Sequence, residues 1–495
     1  SNTKEENLGY TLINEIELKE NGTSARENMN ANFLLTRRFT KERRSLTLSS
    51  SITSNSDNSR SNFYSMTEFA DATANLEIDQ LKNDIAKNTN FSASLNFTEP
   101  LSKRWTGTVG YTISKYNSTL LNQSFDKDVV SGEYNILDEF QLNDFDHSNL
   151  SNGLSLGANY KSEKLTLNVS NRFNYEKVDR LYNNIDKELN RNQNSIAPAL
   201  SINYKLTKSK SLNFRYNGRT TQPNLNQIEP LNQNRDTRIT YLANPDLKSG
   251  FSNSYNLSYN SYKPLKDQSF YVGTYFSQAF NTINSKVDYD ASSGQRDISF
   301  VNIEKANVYA NLYGSYRRPI WKKYNLSANV GADFNYDNSY NYLSVNGGNS
   351  ALNNNESYRI SPNLGFNSYK AEKWSFYMNF SPGVQFRSSS LQGQFDSESF
   401  TFSSYMNFSY TLPKAFKIGF NGSQSYEAAT QTLAAYSVVN LNGYVSKKFL
   451  KDKSLELQFL VNDIFNRNNG VRRYQSGYSF TQSTNDVLRR FAMLK

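Results

Sequence analysis

The 495-residue chain predicts an all-β protein, a large transmembrane antiparallel β-barrel with about 20 strands visible. Three observations predict it. The chain is polar yet rich in aromatic residues. Apolar and polar residues alternate with period two along most of its length. The links between the alternating runs are short and long in turn.

Only 37% of the residues are hydrophobic, and the mean hydropathy is −0.72. That is too polar for a soluble protein with a large core. Disorder fails as an explanation, because disordered chains are poor in aromatics and this one has 34 Tyr and 32 Phe. A membrane barrel satisfies both facts, since each strand needs one apolar face while lumen and loops stay polar. No run of roughly 18 apolar residues exists, so no transmembrane helix is expected. There is no cysteine, which excludes disulfides and thiolate metal sites. The net charge of +10 is assigned to turns and loops. No clustered basic patch or nucleic-acid-binding module accompanies it, so no nucleic acid is expected as a partner.

The strands are read from alternation. Phe91, Ala93, Leu95 and Phe97 alternate with Ser92, Ser94, Asn96 and Thr98. Trp105, Gly107, Val109 and Tyr111 repeat the pattern, as do Leu212, Phe214 and Tyr216. Phe400, Phe402, Met406, Phe408, Tyr410 and Leu412 share one face, and Leu455, Leu457, Phe459 and Val461 follow near the end. One face suits lipid and the other water, so register is well specified.

Short links are expected at Thr40–Arg44, Glu99–Arg104, Ser162–Lys164, Thr207–Lys210, Pro264–Gln268, Pro319–Tyr324, Ala371–Lys373, Pro413–Ala415 and Lys451–Lys453. Longer polar stretches separate them: Asn55–Asn90, Ser118–His147, Thr221–Gly250, Thr282–Val301 and Asp337–Glu356. Outer-membrane barrels sort their links this way, with short turns in the periplasm and long loops outside. Strands of about 10–14 residues are expected between them, from about Leu8 to Leu494. All three tryptophans sit at short links, Trp105 and Trp374 just after one and Trp321 within one. They are expected to form an interface girdle, where an amphipathic ring is partly wet.

Two segments carry a family resemblance. The first runs Arg219-Thr220-Thr221-Gln222-Pro223-Asn224-Leu225, through Ile228-Glu229-Pro230, to Leu242-Ala243-Asn244-Pro245-Asp246-Leu247-Lys248. The second is Val461-Asn462-Asp463-Ile464-Phe465-Asn466. With the turn Thr98-Glu99-Pro100-Leu101, they resemble the barrels of TonB-dependent-receptor-like proteins of Bacteroidetes-type bacteria. The resemblance implies a 22-stranded barrel filled by an N-terminal plug and preceded by a TonB box. Neither plug nor TonB box is seen in residues 1–495, which read as one outer-membrane barrel domain, and Arg490–Lys495 reads as a strand cut short. A plug from the same gene product or from another chain is expected to fill the lumen. Pro223 ends a strand because it cannot donate to a ladder, Asn244-Pro245 favours a turn, and Phe465 is placed at the outer interface.

Catalysis is not expected. His147 is the only histidine, which argues against a catalytic triad or a His-rich metal site. Beside Asp144, Asp146 and Ser148 it reads as a solvated loop edge. No metal or cofactor is implied. Binding candidates are the loop aromatics Tyr241, Tyr289, Tyr340 and Tyr342, able to stack on a ligand, and the inward arginines Arg172, Arg215, Arg219 and Arg387, able to attract anions. By resemblance, the function is uptake of a bulky nutrient across the outer membrane, by capture on extracellular loops and gating by a plug. A structural subunit of a larger outer-membrane complex and an open porin-like channel are the alternatives. Implied partners are outer-membrane lipid and lipopolysaccharide, the plug, TonB and a surface lipoprotein.

Overall fold

A computed structural model describes residues 2–6, 12–69, 75–229, 236, 238–290, 292–345, 347–393, 396–430, 434–450, 454–468, 470–476, 479–484 and 487–495. The expected start at Leu8, Pro230 of the first motif and the turn Lys451–Lys453 lie outside the described residues. Among those described, a 24-stranded sheet takes in most of the chain. Twenty of its strands form a wall of successive antiparallel hairpins, from Asn2–Glu6 to Phe491–Leu494. The outermost members of this wall are not paired with each other among the described residues.

Register explains the unusual composition. Leu95 pairs with Tyr111, Tyr111 with Leu154, Leu154 with Phe173 and Phe173 with Ile196. An apolar row therefore runs sideways across the strands, each member 44–48% exposed. One residue along, Ser94 pairs with Thr112, Thr112 with Gly153, Gly153 with Asn174 and Asn174 with Ser195. That row is small and polar on the opposite face, because successive side chains in a strand point to opposite sides. So broad an exposed apolar band belongs in lipid. Along this row each strand is paired by a continuous backbone ladder with both of its neighbours, as hydrocarbon demands.

The short links fall where the sequence places them. Pro264–Lys266, Lys322–Tyr324 and Pro413–Ala415 are single 3-10 turns. Asp267 and Asn325 close the first two at φ 45° and 50°, a left-handed conformation that Asp and Asn tolerate better than most residues. Glu99 ties two turns of this rim together through Lys41 and Arg44, each at 2.6 Å. These turns mark the periplasmic side.

The long links do not behave as expected. Leu12–Arg38 has 27 residues, and Ser45–Phe69 and Leu76–Pro100 have 25 each, well beyond the expected crossing length. Most of Asn55–Asn90 is continuous ladder, with Asn55 opposite Asn88 and Ser61 opposite Lys82. Ser118 and His147, the expected limits of one loop, face each other as a ladder pair. In Asp337–Glu356 the ladder reaches Leu343 and Ala351. The physical reason is the solvent. Above the bilayer both faces of a strand meet water, so the hydrophobic alternation vanishes while the hydrogen-bonded ladder continues.

Candidate functional site

Alternation assigns each wall residue to the lipid or the lumen face. Arg172 lies on Leu165–Tyr182, and Arg215 and Arg219 on Lys210–Thr221. The strand between them, Lys187–Thr207, presents Ser195, Ala197, Ala199 and Ser201 on the same face. Arg172 pairs with Ala197 and Arg215 with Ser201, so small residues separate exposed guanidinium groups. Among the described residues no carboxylate makes an ion pair with these three. Arg387 stands apart on Trp374–Ser389, so the four candidates do not form one cluster. Its neighbour is Arg359, which the sequence reading missed. Arg359 donates through Nε to Ser361 Oγ at 2.9 Å. Its guanidinium runs beside Gly383, where an added Cβ would sit 3.4 Å from Arg359 Nε and 2.8 Å from Ser361 Oγ. The alternation Tyr358, Arg359, Ile360 carried the signal, hidden in an Asn-rich stretch. Here the ladder between Ala351–Lys370 and Trp374–Ser389 skips from Ile360–Val384 to Leu364–Phe380. Pro362 and Pro382 lie in the gap, and neither has an N–H to give.

The outer mouth carries a second, smaller layer. A hairpin of Thr282–Tyr289 and Arg296–Ile303 rises between the wall strands Gln268–Phe280 and Asn307–Trp321. Ile239–Tyr241 adds to it in parallel on one side, and the outer end of Leu326–Val345 on the other. Val287, Ile298 and Leu343 are buried together with Ile239 packed on them, giving this roof its own core. The first resemblance motif builds its base. Asn224 caps the one-turn helix Leu225–Ile228 in a capping box with Gln227, which satisfies orphan donors from both sides. Ile228 and Leu247 are almost fully buried. Asn244 Nδ2 donates to the Phe300 carbonyl at 2.7 Å, and the Lys248 N–H to Asn302 Oδ1 at 2.7 Å. The Leu247 carbonyl accepts from Arg191, fixing the base to the wall.

The four loop tyrosines all fall on strands of this roof or its root, not in irregular loops. Tyr241 shares a face with Ile239, and Tyr289 shares a face with Val287. Tyr340 and Tyr342 alternate with buried Leu343 and so point the other way. The roof brings them close in the fold but on two faces, so they do not line one pocket. Arg296 lies over the Tyr289 ring at 5.8 Å and Lys305 over Tyr340 at 5.4 Å.

His147 is not at a solvated loop edge. It sits within Asn143–Lys161, with Nδ1 3.2 Å from the Asp179 carbonyl and its ring 5.7 Å from Tyr116. Asp144 and Asp146 are on the opposite face of that strand, and Asp144 accepts from Asn183 at 2.9 Å. No acid–base pair is assembled there. Nearby, Arg180 is sandwiched by Phe145 at 4.2 Å and Tyr182 at 5.6 Å, an aromatic clamp that fills the lumen side.

The tryptophans mark the inner rim. Trp105 and Trp374 open strands, and Trp321 closes one. A bulge between Pro319 and Trp321 places Trp321 opposite Leu326, which turns its ring to the lipid side. Tyr324 joins Trp321 at 4.5 Å and Trp374 at 6.3 Å. The second motif is a strand cap. Asp463, buried, accepts the N–H groups of Arg467 and Asn468 at 3.0 Å each, and Asn466 accepts from the Arg490 N–H at 3.2 Å. Phe465 is left 54% exposed beside it.

A family model described as "Outer membrane protein beta-barrel family" matches residues 37–371 and 349–495. The chain belongs to this family. It is an outer-membrane, multi-pass β-barrel protein, which agrees with the lipid-facing rows and the sorted links. No curated protein matches the chain in sequence. Among solved structures, this family member is similar to the copper transporter OprC, at 12% identity and a TM-score of 0.44 over 97% of this chain and 80% of that one. It is also similar to the ferric-catecholate import receptor Fiu of E. coli K12, at 10% identity and 0.42, over 97% and 81%. The ferric citrate transporter FecA is 12% identical at 0.49, over 97% and 70%.

Proposed function

We propose that residues 1–495 are the barrel domain of a TonB-dependent-receptor-like importer of Bacteroidetes type, taking a bulky, anionic nutrient across the outer membrane. The observation that carries this reading is the roof. The segments Arg219–Leu225 and Leu242–Lys248, which bear the family resemblance, fold into its base at the outer mouth. The three lumen arginines Arg172, Arg215 and Arg219 lie on the wall below, where their exposed cationic groups attract an anionic solute. Arg359 and Arg387 add a second cationic patch further along the wall. The work is binding and gating, with no bond made or broken. A plug, in the same gene product or another chain, fills the lumen, and TonB supplies the energy. The girdle of Trp105, Trp321 and Trp374 seats the inner rim in the lipid. A surface lipoprotein is a further partner of the mouth, where Tyr241, Tyr289, Tyr340 and Tyr342 are contact candidates.

The test is accumulation of solutes by cells carrying the native gene, compared with strains lacking that gene or TonB. The expected result is an anionic solute whose accumulation falls equally in both deletions. Accumulation that survives loss of TonB would overturn the reading in favour of an open channel.

A further inference from the structure

The hairpin of the roof does more than decorate one edge. At its tip the Asp290 carboxylate accepts from the Ser292 N–H at 2.8 Å, Ser292 Oγ at 2.7 Å and Ser293 Oγ at 2.9 Å. The Ser293 carbonyl then accepts from Asn14 Nδ2 at 2.8 Å. Asn14 belongs to Leu12–Arg38, at its outer end. Eight membrane-crossing strands, from Ser45–Phe69 to Gly250–Lys263, lie along the wall between that strand and the hairpin's root. The contact therefore joins regions about half a circuit apart. Asn14 is fully buried, and both ends of its amide are engaged. Its Oδ1 accepts from Arg238 Nη1 at 3.3 Å. Arg238 is itself held by Asp236 through Nε at 3.0 Å and Nη2 at 2.9 Å. The backbone locks the same corner, since the Arg296 N–H donates to the Arg238 carbonyl at 2.7 Å.

We propose that the hairpin Thr282–Ile303 is a strap laid across the outer mouth and latched to the far wall at Asn14. The latch divides the mouth, so a bulky solute passes only after Asn14 releases Ser293 and Arg238. A buried amide is suited to this. Polar groups in a closed contact are expensive to leave unmade, so the strap has a defined shut position. Water satisfies the same groups once the strap lifts, so the shut position is reversible. The inference requires the outer-membrane barrel but no particular ligand, plug or energy source.

The chain has no cysteine, so thiols can be placed without background. The native protein carrying Asn14→Cys and Ser293→Cys, in intact outer membranes, is treated with a short bis-maleimide. A Ser131→Cys and Ser293→Cys pair serves as the control. The expected result is crosslinking of the first pair without any added solute, and none of the control. A third thiol, Ser118→Cys on the lumen wall, reports access in samples whose Asn14→Cys and Ser293→Cys pair is instead closed as a disulfide by a two-electron oxidant, which leaves the unpaired reporter thiol free. A bulky maleimide-polymer should label it about tenfold more slowly with the strap crosslinked than without, while a small maleimide labels both alike. Because Asn14→Cys already replaces the latch, Arg238→Gln in the otherwise native chain is the second variant. It should raise bulky labelling of Ser118→Cys several-fold over that in the native latch. Failure of the Asn14–Ser293 pair to crosslink overturns the strap. Equal bulky labelling with and without the crosslink overturns its role as a gate.

Discussion

The inner and outer halves of this wall are built from the same hydrogen-bonded ladder, yet they obey different rules. In the inner half, turns of a few residues join strands whose faces alternate strictly. Leu95, Tyr111, Leu154, Phe173 and Ile196 stand in one lipid-facing row. In the outer half the ladder climbs beyond the bilayer, and burial no longer follows the lipid. Phe63 and Thr67 are almost fully buried there, and Val287, Ile298 and Leu343 form a core of their own. The difference teaches that the bilayer dictates side-chain pattern, not strand length. Where lipid ends, the same backbone is free to spend its side chains on a second layer.

The largest expected effect breaks the inner half. Leu95→Arg puts a cation in the lipid-facing row and should destabilise the folded barrel by about 2–4 kcal/mol. Ser92→Arg, on the lumen face of the same strand, should change stability by less than about 1 kcal/mol. Urea titration of the protein folded into lipid vesicles measures both. Equal losses would mean that the two faces are not lipid and water.

The next effect separates the halves. Leu343→Ala hollows the roof core and should cost about 2 kcal/mol locally. Its readout is faster hydrogen exchange and proteolysis in Thr282–Tyr289 and Arg296–Ile303. The exchange of the inner ladder over residues 105–113 should be unchanged, because that stretch takes no part in the roof core. If the inner ladder loosens as well, roof and wall are one cooperative unit.

How much of this was legible in the sequence follows the same division. The inner half was readable because lipid on one side and water on the other impose period two on Phe91–Phe97 and Trp105–Tyr111. The short links were readable from their Pro, Asp, Asn and Lys content. The outer half was not. Asn55–Asn90 looked like a loop, since Ser, Asn and Asp carry no alternation when both faces are wet. The roof was hidden for a different reason. Ile239–Tyr241 and Arg296–Ile298 are far apart in sequence and pair in parallel, which no local pattern announces. Of the site, the lumen arginines sat on recognisable alternating strands. Arg359 did not stand out, because the alternation Tyr358, Arg359, Ile360 is short and follows a run of Asn, Glu and Ser. The contact between Asn14 and Ser293 spans 279 residues and leaves no local signature.

A smaller effect tests the base of the roof. Asn224→Ala removes the cap of Leu225–Ile228 and should cost about 1 kcal/mol. Asn224→Asp, which keeps an acceptor for the Gln227 N–H, should cost less. Protease cleavage within 222–249 measures the difference. Equal cleavage of the two variants would mean that the cap does not hold the motif in place.

The smallest effect concerns the strap's tip and is a pH dependence. Hydrogen bonds from Ser292 first, and from Ser293, hold the Asp290 carboxyl down to about 2. An Asp in an unfolded chain titrates near 3.9. The folded value is the lower one, so the turn gains stability from this group above about pH 4, where the carboxylate is charged in both states. That gain fades as pH falls from about 4 to about 2, because the unfolded turn then takes up a proton that the folded turn refuses. Asp290 is only part-buried, so solvent screening keeps the gain small. Asp236 works in the same direction at the latch, where burial pushes its carboxyl up but the hydrogen bonds and charge of Arg238 bring it below the usual range. Crosslinking between Asn14→Cys and Ser293→Cys by a pH-tolerant reagent should therefore weaken on acidification through that window. Asp290→Asn should flatten most of the dependence while leaving the yield at pH 7 slightly lower. A yield that rises on acidification would mean that the tip is held by something other than its charged carboxylate.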